Sequence, residues 1–265
     1  VFFLDSLRIR VEKRYHKRRS IMISLQQIPR TKGVVLWEGL SPYNDKNIVV
    51  VMTMNSQNRK TGNMPQIWIL YADESPVQAK KSGNDESICG DCPHRKGACY
   101  VNVGQAPNAV WKSYKAGKYP RATDQDIKNL VKFRAVRLGA YGDPAMVPSE
   151  ILDRVVKSAR GNTGYTHQWR TKFIDPTIQR HTMASVDNVD QYRQAKSEGW
   201  RTFRVINKGD ELLPNEIFCP ATEEGGMKTN CENCLLCSGS KVGSKVKDIA
   251  VVVHGSGASK FQGGN

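Results

Sequence analysis

Seven cysteines occur in this chain, and all seven fall in two clusters. In "SICGDCPHRKGACYVN", Cys89, Cys92 and Cys99 form C-x2-C-x6-C, with His94 between them. Further on, Cys219 precedes a triplet in "CENCLLC", where Cys231, Cys234 and Cys237 recur every third residue. A C-x2-C bend turns two thiols toward one ion, whose charge lowers their pKa so that they bind as thiolates. Four thiols complete a tetrahedral zinc site or hold all four corners of an iron–sulfur cluster. Cysteines at every third position suit a 4Fe–4S cluster, whereas zinc sites more often use two separated pairs. The first set has three thiols. It either takes His94 as a fourth ligand around zinc or leaves one iron of a 4Fe–4S cluster open to a small molecule. Reduced core cysteines rarely produce such spacing twice, and an odd total argues against a disulfide framework.

Other residues are candidates by type and place. In "GAYGDP", Gly142 permits a turn that a β-carbon would forbid, and Asp143 could cap a helix starting near Pro148 or meet a ligand. His167 in "YTHQWR" ends a predicted strand beside Arg170, where a base, a metal ligand or an anion binder would sit. Asp187 and His254 also follow predicted strands. Arg137, Arg201 and Arg204 lie within strands, and any that face inward need a carboxylate or an anion to offset burial. No phosphate-binding Walker loop, dinucleotide glycine fingerprint, Ser-His-Asp order or HExxH motif is present.

The elements that must position these groups are those of an ordinary globular chain, 39% hydrophobic and 25% charged. Residues 34–38, 48–54 and 66–72 read as strands of a small antiparallel element spanning 33–84, with a hairpin loop between the last two. "AVWKSYKAG" reads as a helix ended by Gly117, and "TDQDIKNLVKF" as one capped by Thr123. From residue 134 strands and helices alternate, which predicts a parallel sheet. The fold class expected is α/β, a partial βα (TIM-like) barrel whose carboxyl-end loops form the site within an 85–255 metal-binding domain. Residues 256–265 read as a flexible tail.

The formal net charge is +15, of which residues 1–32 supply nine Lys/Arg against Asp5 and Glu12. That stretch reads as a disordered or non-native extension, with Met22 a candidate start. A spread basic excess predicts attraction to nucleic acid without sequence reading. No apolar run approaches the ~20 residues of a membrane span, and a cytoplasmic location, in a bacterial or phage-infected cell, is the expectation.

The order "CPHRKGACYVN", "VRLGAYGDP", "GYTHQW", "CPAT…CENCLLC…VVVHG" resembles a group of uncharacterised phage proteins that includes the gene product eighty-eight family. The likeness covers about residues 85–255. That group is in turn similar to the radical S-adenosylmethionine enzymes, partial βα barrels with a three-cysteine 4Fe–4S cluster. The resemblance implies S-adenosylmethionine bound at the open iron and cleaved by one-electron reduction, with Gly142, Asp143 and Tyr100 near the cofactor. Here the thiols follow x2 and x6 spacing rather than x3 and x2, and Tyr100 follows the last cysteine instead of preceding it. The reading from another class is a zinc-stabilised nucleic-acid-binding protein without catalysis.

Overall fold

The computed structural model describes residues 31–240 and 245–263; all but the last two residues of the basic 1–32 stretch lie outside them. Strands β1 (Gly33–Leu40), β2 (Asn47–Thr53) and β3 (Gln66–Tyr71) form an antiparallel meander, as their Val- and Ile-rich composition predicts. In β2, Ile48–Met52 is buried without alternation, so both of its faces are covered. The meander is not a separate element. β3 pairs in parallel with β4 (Ala135–Tyr141), and β4 with β5 (Gly161–Thr163), making one mixed five-stranded sheet. A second sheet, all parallel, has the order β6 (Tyr165–Thr166), β7 (Met183–Val186), β8 (Thr202–Ile206), β10 (Asp248–Val252), β9 (Glu216–Phe218).

Gly164 alone separates β5 from β6. Its N–H donates to the Cys237 carbonyl at 3.0 Å, and its own carbonyl accepts from Met183 at 3.0 Å. The chain thus passes from one sheet to the other in a single residue. The architecture is mixed α/β with two open sheets, and the described strands do not close into a barrel.

Seven helices connect these strands among the described residues. They are α1 (Pro76–Ser82), α2 (Glu86–Cys89), α3 (Ala106–Lys115), α4 (Asp124–Val131), α5 (Ser149–Ser158), α6 (Val189–Ser197) and α7 (Cys231–Cys234). α4 begins in a capping box: Thr123 accepts from the Asp126 N–H while the Asp126 side chain accepts from the Thr123 N–H. Buried Ile127, Leu130 and Val131 of α4 and Ile151, Leu152 and Val155 of α5 form the apolar stripes on which these two helices pack together.

The strand arginines meet the partners that burial demands. Arg204 forms a two-pronged pair with Glu216, both bonds 2.8 Å and both side chains fully buried. Arg201 donates to the carbonyls of Gly239 and Lys247. Among the described residues no helix is long and apolar enough to cross a membrane.

Candidate metal centre

Three parallel strands deliver one residue each just past their carboxyl ends: Asp143 after β4, His167 after β6 and Asp187 after β7. Gly142 makes the first delivery feasible. It sits at φ +80°, and a β-carbon there would stand 2.7 Å from the Ile69 carbonyl oxygen on β3. Asp143 is buried, and its carboxylate is engaged by the chain itself. Oδ1 accepts from the Ala145 N–H at 2.9 Å and Oδ2 from the His167 N–H at 2.8 Å, while Thr166 also bonds the carboxylate. Burial pushes this carboxyl up, and those hydrogen bonds oppose it. Asp143 therefore caps the 3-10 turn Pro144–Met146 rather than a helix at Pro148, and it fixes the backbone at His167. These contacts tie the carboxylate to the backbone on both sides of the strand ends.

Cys89 ends α2, and the chain reverses through Gly90 toward Cys92. Two residues with no local sequence signal lock this bend. Gln168 is fully buried and donates from Nε2 to the Cys89 carbonyl at 3.0 Å and to Asp91 at 2.9 Å. Arg95 reaches back to the carbonyls of Gly90 and Gly83, at 3.0 and 2.8 Å, and to Asp85 at 2.6 Å. Gly90 has φ +57°, and a β-carbon would come within 2.4 Å of the Gln168 side chain. Gly90→Ala should thus lower stability by about 1–3 kcal/mol and loosen the bend. A denaturant melt matching wild type would show that the bend is not so held.

Burial, and then the neighbouring thiols Cys92 and Cys99, push Cys89 well up. Burial also raises Cys99, partly offset by a hydrogen bond from the Val101 backbone. Such thiols need a metal or a cation to exist as thiolates at neutral pH.

His94 accepts through its carbonyl from the Cys99 N–H at 2.9 Å, while its Nε2 lies 2.8 Å from Asp187 Oδ1, across 93 residues of sequence. His167 sits between the two groups, with Nδ1 3.4 Å from Cys92 Sγ and Nε2 3.6 Å from Asp187 Oδ2. The two imidazoles are 4.9 Å apart between centroids. Burial disfavours the charged His167 ring, but Cys92 and Asp187 outweigh it and hold the pKa well above its ordinary value. Asp187 is driven the other way: burial would raise it, and the His167 and His94 imidazoles beside it bring it far below the usual carboxylate range.

The tail read as a flexible end covers this corner. Ala258–Lys260 forms a 3-10 turn, the Phe261 ring meets His94 edge-on at 5.5 Å, and the Gly263 carbonyl accepts from Asn207 at 2.8 Å.

The second set builds on the other sheet. Cys219 follows β9 directly, and its N–H donates to the Ala250 carbonyl of β10 at 2.9 Å. Cys231 and Cys234 open and close α7, whose N-cap is Asn230. The Cys231 and Glu232 N–H groups donate to the carbonyls of Lys60 and Thr61, and Glu232 accepts from the Asn63 N–H. The expected hairpin loop between β2 and β3 is therefore the seat of the thiol loop. Cys219 and Cys237 are buried against Met183, Ile249 and Val251, with Tyr165, Phe203, Val205 and Ile217 around them. Burial pushes the Cys237 thiol up to about 12, against a hydrogen bond from Tyr165. Arg137 links the sets: its guanidinium bonds the Tyr100 hydroxyl, next in chain to Cys99, and its charge acts on Cys231.

Three residues singled out in the sequence, Arg170, Tyr100 and His254, are exposed. Arg170 is exposed and stacks on Trp169 at 5.1 Å. The 3-10 turn Gln168–Arg170 swings successive side chains by about a third of a turn, so Gln168 and Trp169 go in and Arg170 goes out. Tyr100 is 49% exposed and, apart from its bond to Arg137, faces exposed His254 at 6.0 Å. No family model, curated protein or solved structure matches this chain, and its reading rests on the two thiol sets and the His-His-Asp group at the strand ends.

Proposed function

We propose that the chain is a redox metalloprotein. In this reading Cys89, Cys92 and Cys99 hold a 4Fe–4S cluster with one iron open, and Cys219, Cys231, Cys234 and Cys237 hold a second, closed metal group. The observation that carries it is the thiol count, three in the first set and four in the second, with His94 Nε2 engaged by Asp187. Cysteines recurring every third residue in the second set add support, since that spacing suits a 4Fe–4S cluster.

Tyr165, Phe203, Val205 and Ile217 pack around Cys219 and Cys237 of the closed set, with Arg137 half-buried on β4. Two sheets joined at Gly164 are the open counterpart of a βα barrel, and S-adenosylmethionine is the ligand that the family resemblance suggests. A cluster bound at Cys89, Cys92 and Cys99 would supply single electrons. Asp143, Gln168 and Arg95 keep the bend that carries Cys89 and Cys92 from collapsing, and Arg137 offers a cation to an anionic ligand group.

Iron, sulfide and zinc assays on anaerobically purified protein test this. Iron with sulfide is expected. Zinc alone, released from the first set by His94→Ala, would leave the non-catalytic zinc protein instead.

The charge of +15 supports nucleic acid as the neighbour on or beside which the protein acts. Affinity for DNA or RNA should fall steeply with salt and vary little with sequence. An absence of binding in a low-salt titration would remove nucleic acid as a partner.

A further inference from the structure

The geometry points to a separate, thiol-free metal site: one divalent cation held by His94 Nε2, His167 Nε2 and a carboxylate oxygen of Asp187. This goes beyond the cluster reading, since it stands whatever occupies the thiols. The three ligand atoms lie within 4.8 Å of one another, and they come from three places: the turn Pro93–Lys96, the end of β6 and the end of β7. Their side chains are 13%, 19% and 9% exposed, in that order.

Two of these atoms are left without hydrogen bonds where water does not reach. His167 Nε2 and Asp187 Oδ2 are buried and face each other across 3.6 Å, an ion-pair contact too long for a hydrogen bond. A cation between them would satisfy both at closer range. Metal–nitrogen and metal–oxygen bonds of about 2.0–2.2 Å place neighbouring ligand atoms roughly 3.0–3.5 Å apart. The gap between His167 and Asp187 is already near that span, and His94 needs to withdraw only slightly from Asp187.

The surrounding contacts are those that metal ligands require. His167 keeps its other ring nitrogen, Nδ1, against Cys92 Sγ, which fixes the ring with Nε2 toward the site. Asp187 is anchored through its N–H to Gln191 on α6, at 2.9 Å. The Phe261 ring screens His94 from solvent. Two imidazoles and one carboxylate favour ferrous iron or zinc, and three protein ligands leave further positions for a water or a substrate oxygen. The ligand class that fits there is a small molecule with a carboxylate, carbonyl or phosphoryl oxygen, which the cation would polarise. Cys92 joins the two centres, since its thiol belongs to the first set and also supports His167.

The test is calorimetric titration of Zn2+ into the full chain, prepared anaerobically with its thiol groups already loaded. One further equivalent is expected to bind. Asp187→Asn should weaken that uptake at least tenfold, and His94→Gln, whose amide can still bond Asp187, should do the same while leaving the melting curve and the iron, sulfide or zinc of the thiol sets unchanged. Undiminished uptake in a folded variant, or no uptake by wild type, would overturn the site. Should both variants fail to fold, zinc-edge X-ray absorption on the titrated wild type decides it. Nitrogen and oxygen neighbours at about 2.0–2.1 Å support the site, and sulfur alone at about 2.3 Å overturns it. Neither result depends on whether the first thiol set holds iron.

Discussion

Cys234→Ser should lower the melting temperature by roughly 10 °C or more and remove the metal of the four-thiol set from the same preparation. The size of the effect follows from what the substitution changes with and without a metal. Cys234 is half-buried at the end of the one-turn helix α7, so exchanging sulfur for oxygen there would, by itself, stay within about 1 kcal/mol. With a metal bound, it removes one of four ligands from a site whose structural binding energy is of order 10 kcal/mol. The loop between Cys219 and Cys231 is not formless without metal. Met227 and Lys228 donate back to the carbonyls of Thr222 and Pro220. Yet it buries little apolar surface of its own, and Met227 is 70% exposed. Metal content and melting temperature should therefore fall together. An unchanged melt with metal retained would show that the loop's hydrogen bonds suffice.

Glu216→Ala should cost about 3–5 kcal/mol, because it strands a fully buried guanidinium. Glu216 accepts from Arg204 Nε and Nη2 and also from the Leu213 N–H, all at 2.8 Å. Arg204 lies on β8 and Glu216 on β9, with β10 between them, so the pair ties together the three strands behind Cys219. Replacing both partners with apolar residues, Arg204→Met with Glu216→Leu, should recover most of the loss, since the desolvation of both charges disappears as well. Chemical denaturation of the single and double variants measures this. A single variant within 1 kcal/mol of wild type would mean that the charge finds another partner or reaches water.

What could be read from the residues was local chemistry. Thr123 with Asp126 announces the start of α4, and the Val/Ile runs announce β1 to β3, because caps and hydrophobic patterning act over a few positions. The thiol spacings likewise mark both cysteine loops. What escaped was non-local. The parallel pairing of β3 with β4, which merges the antiparallel element into a larger sheet, leaves no mark in either strand. The switch of sheets at Gly164 looks like one continuous strand, "NTGYTHQW". Gln168 and Arg95 pass for surface residues by type, and only the folded chain shows them bonding the Cys89 bend. Arg170 is next but two to His167 in sequence, and the 3-10 turn sends it out. His94 lies among the thiols in sequence, and its partner, Asp187, is 93 residues away, a separation that leaves no local mark.

The most direct measurement is the electron paramagnetic resonance spectrum of the reduced, anaerobically purified protein, recorded with and without S-adenosylmethionine. An open iron at Cys89, Cys92 and Cys99 predicts an iron–sulfur signal that the ligand shifts, and a Cys92→Ala variant that loses the shifted component while the four-thiol set keeps its metal. Protein that carries zinc and no sulfide, or an iron–sulfur signal that S-adenosylmethionine leaves unmoved, would contradict the open cluster.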